Sequence, residues 1–254
     1  MTEIGGRHDV VWQLEDVTQS YFASRRGIPL ADVQLDVMRR LIEEHQLNVR
    51  TLLDLGAGDG VAAAAVHGWQ TTDRMVLVDF SHPMLDEARL RFAGESAEID
   101  YVEGDLLDSN WIPGVAARGP FDVVVSRYAI HHLPNWRKKL LYGEILELLQ
   151  PGGLFINIEH VQSAAPVYQK AFDRLLIEGI NATSVDDASF QETAAAYYNR
   201  QDKDTNILAP VEDQCAWMRE LGYVDVDCAF KIFELAVIVG KRPDVPGQAT
   251  APTR

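Results

Sequence analysis

The sequence predicts an α/β protein built on a doubly wound, mostly parallel sheet of seven strands. Three observations carry this. Between residues 50 and 160, short apolar runs of strand length alternate with segments of helical pattern, the signature of strands joined by crossover helices. Each of those runs ends on a polar residue, as expected where a parallel sheet presents its carboxyl edge to a ligand. Beyond them, 224–240 is long enough for two further strands. The chain has 254 residues, 47% of them hydrophobic, which suits one domain with an elaboration.

The elements follow in order. Residues 1–10 are expected to be a mobile start. Leu30, Val33, Val37, Met38, Leu41 and Ile42 form one helical stripe, so 1–50 reads as an N-terminal helical segment. "RTLLDL" (50–55) is the first strand and runs into the glycine turn "GAGDG". A helix follows, its "AAAA" at 62–65 small enough to pack closely on the sheet. "RMVLVDF" (74–80) is the second strand, and "HPMLDEARLRFA" a helix with proline near its start. "IDYVEGD" (99–105) and "FDVVVS" (121–126) are the third and fourth strands. "PNWRKKLLYGEILELLQ" is a helix stopped by "PGG" at 151–153, before the fifth strand "LFINIEH" (154–160).

Residues 161–209 break the alternation. Tyr168, Phe172, Leu175, Leu176 and Ile180 suit one helix, and "SFQE" (189–192) is a capping box for a second that carries Tyr197 and Tyr198. The segment reads as a helical lid whose aromatic side chains suit an acceptor pocket. "PVEDQCAWMRELG" (210–222) is the last helix, and the tail 242–254 has the composition of a disordered segment. The whole of 1–254 is read as a single domain.

Charge and composition narrow the function. A net charge of −15 disfavours binding to a phosphate backbone, so a small-molecule acceptor is expected rather than a nucleic acid. No apolar run reaches membrane-spanning length, and "MTEIGGRHDV" has no leader pattern. Cys215 and Cys228 give no disulfide framework, which fits a reducing cytoplasm. No Cys-His spacing suggests a metal.

The glycine turn narrows the cofactor. Counting from Gly56, a dinucleotide fingerprint needs glycine or alanine where Val61 stands, and the third glycine comes one place early, at Gly60. Asp79 suits a ribose diol, because a carboxylate accepts from both hydroxyls, although it could instead cap the following helix. Asp105 could accept from an adenine amine or serve only as a turn residue. Asp54 either adds negative potential near a bound ammonium or only orders the glycine turn. Three acids around one cofactor favour a cation without phosphates.

At these residues the chain resembles the class I S-adenosylmethionine-dependent methyltransferases. "DLGAGDG" is similar to their glycine motif, "VDFSHPMLDEAR" to their ribose segment, "VEGDLLD" to their adenine segment, and "FDVVVSRYAIHHLP" and "LLQPGGLFINIEH" to their fourth- and fifth-strand motifs. The resemblance implies a Rossmann-like methyltransferase fold and S-adenosylmethionine as cofactor. It implies that Gly56 and Gly58 approach the methionyl part, Asp79 holds the ribose, Phe80 and Met84 flank the adenine, Asp105 and Leu106 read it, and Ser126 lies near the sulfonium. Arg25 and Arg26 precede the first helix; Arg26 is taken as the partner of the methionyl carboxylate, the alternative being a solvated pair.

The expected chemistry is methyl transfer to a small molecule. His131 is the first candidate base and His160 the second, with Glu159 beside it. The alternatives are packing for His131 and a surface ion pair for Glu159 and His160. Two other functions stay open. One is a carboxy-S-adenosylmethionine synthase, which "YYNRQDKDTNILAPVEDQ" loosely resembles, with Arg200 nearest to the arginine such an enzyme needs. The other is a non-catalytic nucleoside-binding subunit.

Overall fold

A computed structural model describes residues 9–183, 188–200 and 205–244. The expected tail therefore lies outside the described residues from 245 onward. Among the described residues one sheet has seven strands: β1 (Thr51–Leu55), β2 (Arg74–Asp79), β3 (Glu98–Glu103), β4 (Phe121–Arg127), β5 (Leu149–His160), β6 (Val224–Ile232) and β7 (Leu235–Lys241). Their order is β3-β2-β1-β4-β5-β7-β6. β1 to β5 are parallel, and β7 is antiparallel to both β5 and β6. The switch point therefore lies between β1 and β4, where such sheets place a ligand.

Helices cover both faces, so the strands are near-continuous apolar runs. On one face Leu53, Val76, Val124 and Phe155 pack against Tyr142 and Ile145 of α6 (Asn135–Leu148) and Met218 of α9 (Val211–Leu221). On the other, Leu52, Leu77, Val125 and Ile156 meet Met38 and Ile42 of α2 (Ala31–Glu44) and Ala62, Ala63 and Val66 of α3 (Val61–Trp69). Two more helices follow the strands, α4 (His82–Arg91) and the short α5 (Ile112–Ala116).

Several expected boundaries move. The buried stripe of α2 is Gln34, Met38 and Ile42, while Leu30 and Val33 are largely exposed. Gln34 is buried because the Tyr128 hydroxyl donates to its side chain, so a polar residue occupies what apolar periodicity assigns to solvent. β5 begins at Leu149 rather than 154; "PGG" sits inside the strand, at the register shift opposite Phe121 and Val123. β4 runs one residue further than expected, through Arg127.

Two structures cover the carboxyl edge. One is a cap made of a 3₁₀ turn (Asp9–Gln13), α1 (Glu15–Ser24) and a second 3₁₀ turn (Arg25–Gly27). The other is the expected lid, with α7 (Pro166–Thr183) and α8 (Phe190–Asn199), the latter started by the expected box between Ser189 and Glu192. Cap and lid meet backbone to backbone. A Cβ on Gly179 would lie 2.2 Å from the Gly27 carbonyl oxygen, and one on Gly27 would lie 2.5 Å from Ile180 Cα. Only glycine permits that approach.

Gly179→Ala is therefore expected to destabilise the protein by about 1–3 kcal/mol, the usual cost of overpacking, read from the urea midpoint. Gly68→Ala in α3, where an added Cβ meets nothing within 4 Å, is the control and is expected to be neutral or stabilising.

Candidate active site

β1 delivers the chain into the glycine turn, whose Gly56 has φ +63°. A Cβ there would fall 2.1 Å from that of Ala129, just past the end of β4. The turn is thus held against the neighbouring strand, leaving its backbone open to a cleft. Gly56, Gly58, Asp79, Phe80, Met84 and Asp105 all line that cleft, with Leu106 beside them. Asp79 ends β2. Its Oδ2 accepts from the Gly58 N–H and its Oδ1 from the Ser81 N–H, both at 2.8 Å. Burial raises its pKa to about 6, against the pull of those N–H groups. The Phe80 N–H adds a third backbone donor, and the carboxylate still lines the cleft, as an acceptor for a ribose hydroxyl must. The Asp79 carboxylate orders the start of α4 as well, so the two readings of this residue are compatible. Asp105 accepts from the Leu107 N–H at 2.9 Å and remains half-buried at the cleft wall.

Three expected cofactor residues sit elsewhere. Ser126 is fully buried and donates to the Leu55 carbonyl at 2.8 Å, tying β4 to β1; it does not line the cleft, because the strand carries on to Arg127. Asp54 is buried below the turn and accepts from the Ala63 N–H at 3.0 Å, so it anchors α3. Burial raises its pKa to about 7. Arg26 is exposed and lines neither cavity. Its neighbour Arg25 turns inward instead and pairs with Asp59 of the glycine turn at 2.6 Å. Arg91 of α4 holds the same carboxylate.

Sequence reasoning missed the roof. Trp12 and Tyr21 of the cap line the cleft, and Ser81 Oγ donates to the Trp12 carbonyl at 2.7 Å. No periodicity marks these residues; they are placed by contacts distant in sequence. It also missed Arg127 and Tyr128. Tyr128 has φ +53°, a left-handed conformation uncommon for a bulky residue, and its N–H donates to the Ile158 carbonyl at 2.8 Å.

A second cavity of about 710 Å³ adjoins the first, and Trp12, Tyr21, Tyr128 and His132 line both. Cap and lid enclose it, with His131 and His160 at its floor. His131 lies 2.7 Å from Glu159, Nδ1 to Oε1. Glu159 has no access to solvent; its Oε1 also accepts from the His160 N–H at 2.8 Å. Burial holds the His131 pKa well below the ordinary imidazole value, with further depression from His160 and Lys138, and raises that of Glu159 to about 7. A neutral His131 that donates from Nδ1 keeps its lone pair on Nε2. His160 Nε2 is 2.8 Å from Glu234, a partner the sequence did not suggest. Of the lid aromatics, Phe172 and Tyr197 line the cavity, whereas Tyr168 and Tyr198 are largely exposed; the four do not share one helical face. Arg200 lies over the Tyr197 ring, 4.1 Å from its centroid, and also lines the cavity. Among the described residues no group of three or more His, Cys, Asp or Glu side chains could hold a metal ion, and no helix is long and apolar enough to cross a membrane.

Residues 52–153 match the methyltransferase domain family. The chain is 21% identical over 211 residues to a carboxy-S-adenosyl-L-methionine synthase of Helicobacter hepaticus, covering 82% of each. It is 27% identical to a demethylmenaquinone methyltransferase of Clavibacter sepedonicus, covering 69% of this chain and 66% of the relative. An O-methyltransferase family protein from Burkholderia thailandensis shares the fold, with TM-score 0.60 and 17% identity over 93% of this chain. The chain spans 63% of that longer structure.

A carboxyl whose pKa rises to about 6 on folding, from an ordinary 3.8, stabilises the unliganded fold below pH 4, an advantage lost as pH rises through 6. A ligand that needs the carboxylate shows the reverse trend. S-adenosylhomocysteine affinity is therefore expected to fall as pH drops below about 6. Asp79→Asn should bind about 1.5–3 kcal/mol more weakly near neutral pH and show less of that pH dependence, both read by calorimetry.

Proposed function

For a chain that belongs to the class I S-adenosylmethionine-dependent methyltransferases, we propose methyl transfer to an oxygen of a small-molecule acceptor seated between cap and lid. The observation that carries this reading is the buried His131–Glu159 pair, 2.7 Å apart, on the floor of the second cavity. The two unpaired cysteines fit a cytoplasmic setting.

The first cavity suits the cofactor. Gly56 and Gly58 bring bare backbone to it, Asp79 offers two oxygens to the ribose, and Phe80, Met84, Asp105 and Leu106 surround the base. S-adenosylmethionine supplies a methyl group already activated by positive sulfur. The protein is left with three tasks: to orient the acceptor, to exclude water and to take up a proton. Orientation alone contributes about 7 kcal/mol or more when the reacting atoms are held in line. The cap and the lid exclude water. His131 Nε2 accepts the hydroxyl proton, and Glu159 faces the imidazolium that results. Glu159 thus positions and stabilises His131 without touching the acceptor. His160, held by Glu234, is placed to orient the acceptor beside His131, their ring centroids being 5.5 Å apart.

A second reading rests on the synthase relative and on Arg200, whose guanidinium lies over Tyr197 in the acceptor cavity and donates to the Tyr197 carbonyl at 2.8 Å. An arginine there could face a carboxylate instead of a neutral acceptor. The mass of the nucleoside that co-purifies with the protein separates the two. S-adenosylmethionine or its demethylated product supports methyl transfer, and a nucleoside heavier by a carboxyl group supports the synthase.

With a hydroxyl acceptor that the wild type methylates, His131→Ala is expected to lower turnover by about 10²–10⁴ while S-adenosylhomocysteine binding stays unchanged by calorimetry. Glu159→Gln still accepts from Nδ1 but carries no charge, and its turnover should fall between the two. Full turnover by His131→Ala would remove the base from the mechanism.

A further inference from the structure

Arg127 differs from the arginines around the glycine turn. It ends β4 next to the glycine turn and lines the first cavity. Arg25 and Arg91, by contrast, share the Asp59 carboxylate. The Arg127 Nε is buried and has no hydrogen-bond partner among the described residues. The guanidinium carbon lies 4.9 Å from the Tyr128 ring centroid, so the ring face meets part of its charge, but a ring satisfies no N–H in the guanidinium plane. A buried, unmatched donor on a charged group is costly, and such groups mark sites completed by a ligand. The backbone favours the same conclusion. The left-handed Tyr128 that follows, fixed by its N–H to the Ile158 carbonyl, turns the chain sharply, with Arg127 on the first cavity and Tyr128 on both.

The place of Arg127 within the cleft identifies the anion. Asp79 and Asp105, which suit ribose and adenine, stand at the ends of β2 and β3. Arg127 stands on the opposite side of β1, at the end of β4, where the remainder of the nucleoside must lie. Asp54 lies within electrostatic reach of Arg127, and its Oδ1 is likewise buried without a partner. Arg127 lines the cavity and Asp54 does not, so the charged group presented to a ligand at this end is the guanidinium.

Resting on the cofactor reading above, we propose that Arg127 binds the α-carboxylate of the cofactor's methionyl moiety, the role expected of Arg26. A guanidinium presents paired N–H donors to a carboxylate, so the contact fixes the direction of the methionyl chain as well as its affinity.

The test compares two ligands by calorimetry: S-adenosylhomocysteine, which carries the carboxylate, and 5′-methylthioadenosine, which lacks the amino-acid part. Arg127→Gln is expected to weaken S-adenosylhomocysteine by roughly 10- to 100-fold, the scale of a charged hydrogen bond, and to leave 5′-methylthioadenosine within about twofold. The methyl ester of S-adenosylhomocysteine supplies the complementary arm on the unaltered protein. It should bind the wild type as weakly as the free acid binds Arg127→Gln, and the substitution should weaken it no further. Equal losses for both nucleosides would make Arg127 a structural residue, and no loss for either would place the carboxylate elsewhere; each result overturns the proposal. Failure of every nucleoside to bind any arm would instead reject the cofactor assignment.

Discussion

Glu159 is a carboxylate with no access to water, and much of the site is organised around it. Moving such a group from water costs several kcal/mol unless the interior compensates. The compensation comes from different parts of the chain. His131 lies at 2.7 Å, the His160 N–H at 2.8 Å and the Asn157 amide at 3.3 Å. Lys138, also fully buried, adds attraction and donates to the Leu133 carbonyl and to Asn135 at 2.7 and 2.9 Å, and to the Ile207 carbonyl. Asn157 passes the network on to Tyr142 and Gln214. One buried charge therefore ties β5 to the turn after β4, to α6, to α9 and to the segment that returns from the lid. The fold around the candidate base is set by that compensation, and His131 has little freedom to leave its position.

The part of the site legible in the sequence is the part built by strand ends. In a parallel sheet, residues that terminate successive apolar runs must meet at one edge, so Asp79, Asp105 and His160 could be placed at that edge without coordinates, with His131 in the turn just after the fourth strand. Ser126 failed the same logic by one residue. Its side chain turns into the sheet to bond Leu55, and Arg127 takes the last position of the strand. Asp54 failed because the penultimate residue of a strand faces the helix that follows, where it serves the Ala63 N–H. The cap was illegible for a different reason. Trp12 and Tyr21 reach the cleft through contacts with residues more than sixty positions away, such as Ser81, and nothing local encodes those. The choice between Arg25 and Arg26 likewise depends on which way a short 3₁₀ turn rotates, a matter the partner Asp59 decides.

Cap and lid lie far apart in the chain, the cap at 9–27 and the lid inserted between β5 and α9, yet they form one covering. The glycine approach at Gly27 and Gly179 lets their backbones touch, and the second cavity lies beneath that seam. Trp12 and Tyr21 look onto both cavities, so neither ligand can be enclosed without them. The Arg25–Asp59 pair then joins the cap to the glycine turn. A movement of the cap would therefore reach the glycine turn and the second cavity at the same time, through named contacts rather than through distance alone.

The charges beneath the cleft also have a direction. Asp54 and Asp79 both have raised pKa values because burial penalises their ionised forms; the charge of Asp79 raises that of Asp54 further while the Ala63 N–H and Arg127 lower it, and backbone N–H groups pull that of Asp79 down. A protein interior screens charge poorly, so a cation arriving above these carboxylates meets an attraction that bulk water would suppress. A nucleoside with a positive sulfur gains from it, and the same nucleoside after losing its methyl group gains less. Arg127 does not cancel this preference if its own charge is matched by a carboxylate. The acids lie below the turn and at the end of β2, and the guanidinium lines the cleft at the end of β4, within electrostatic reach of Asp54. That arrangement suits a ligand whose charged groups lie toward one end and whose uncharged base lies at the other.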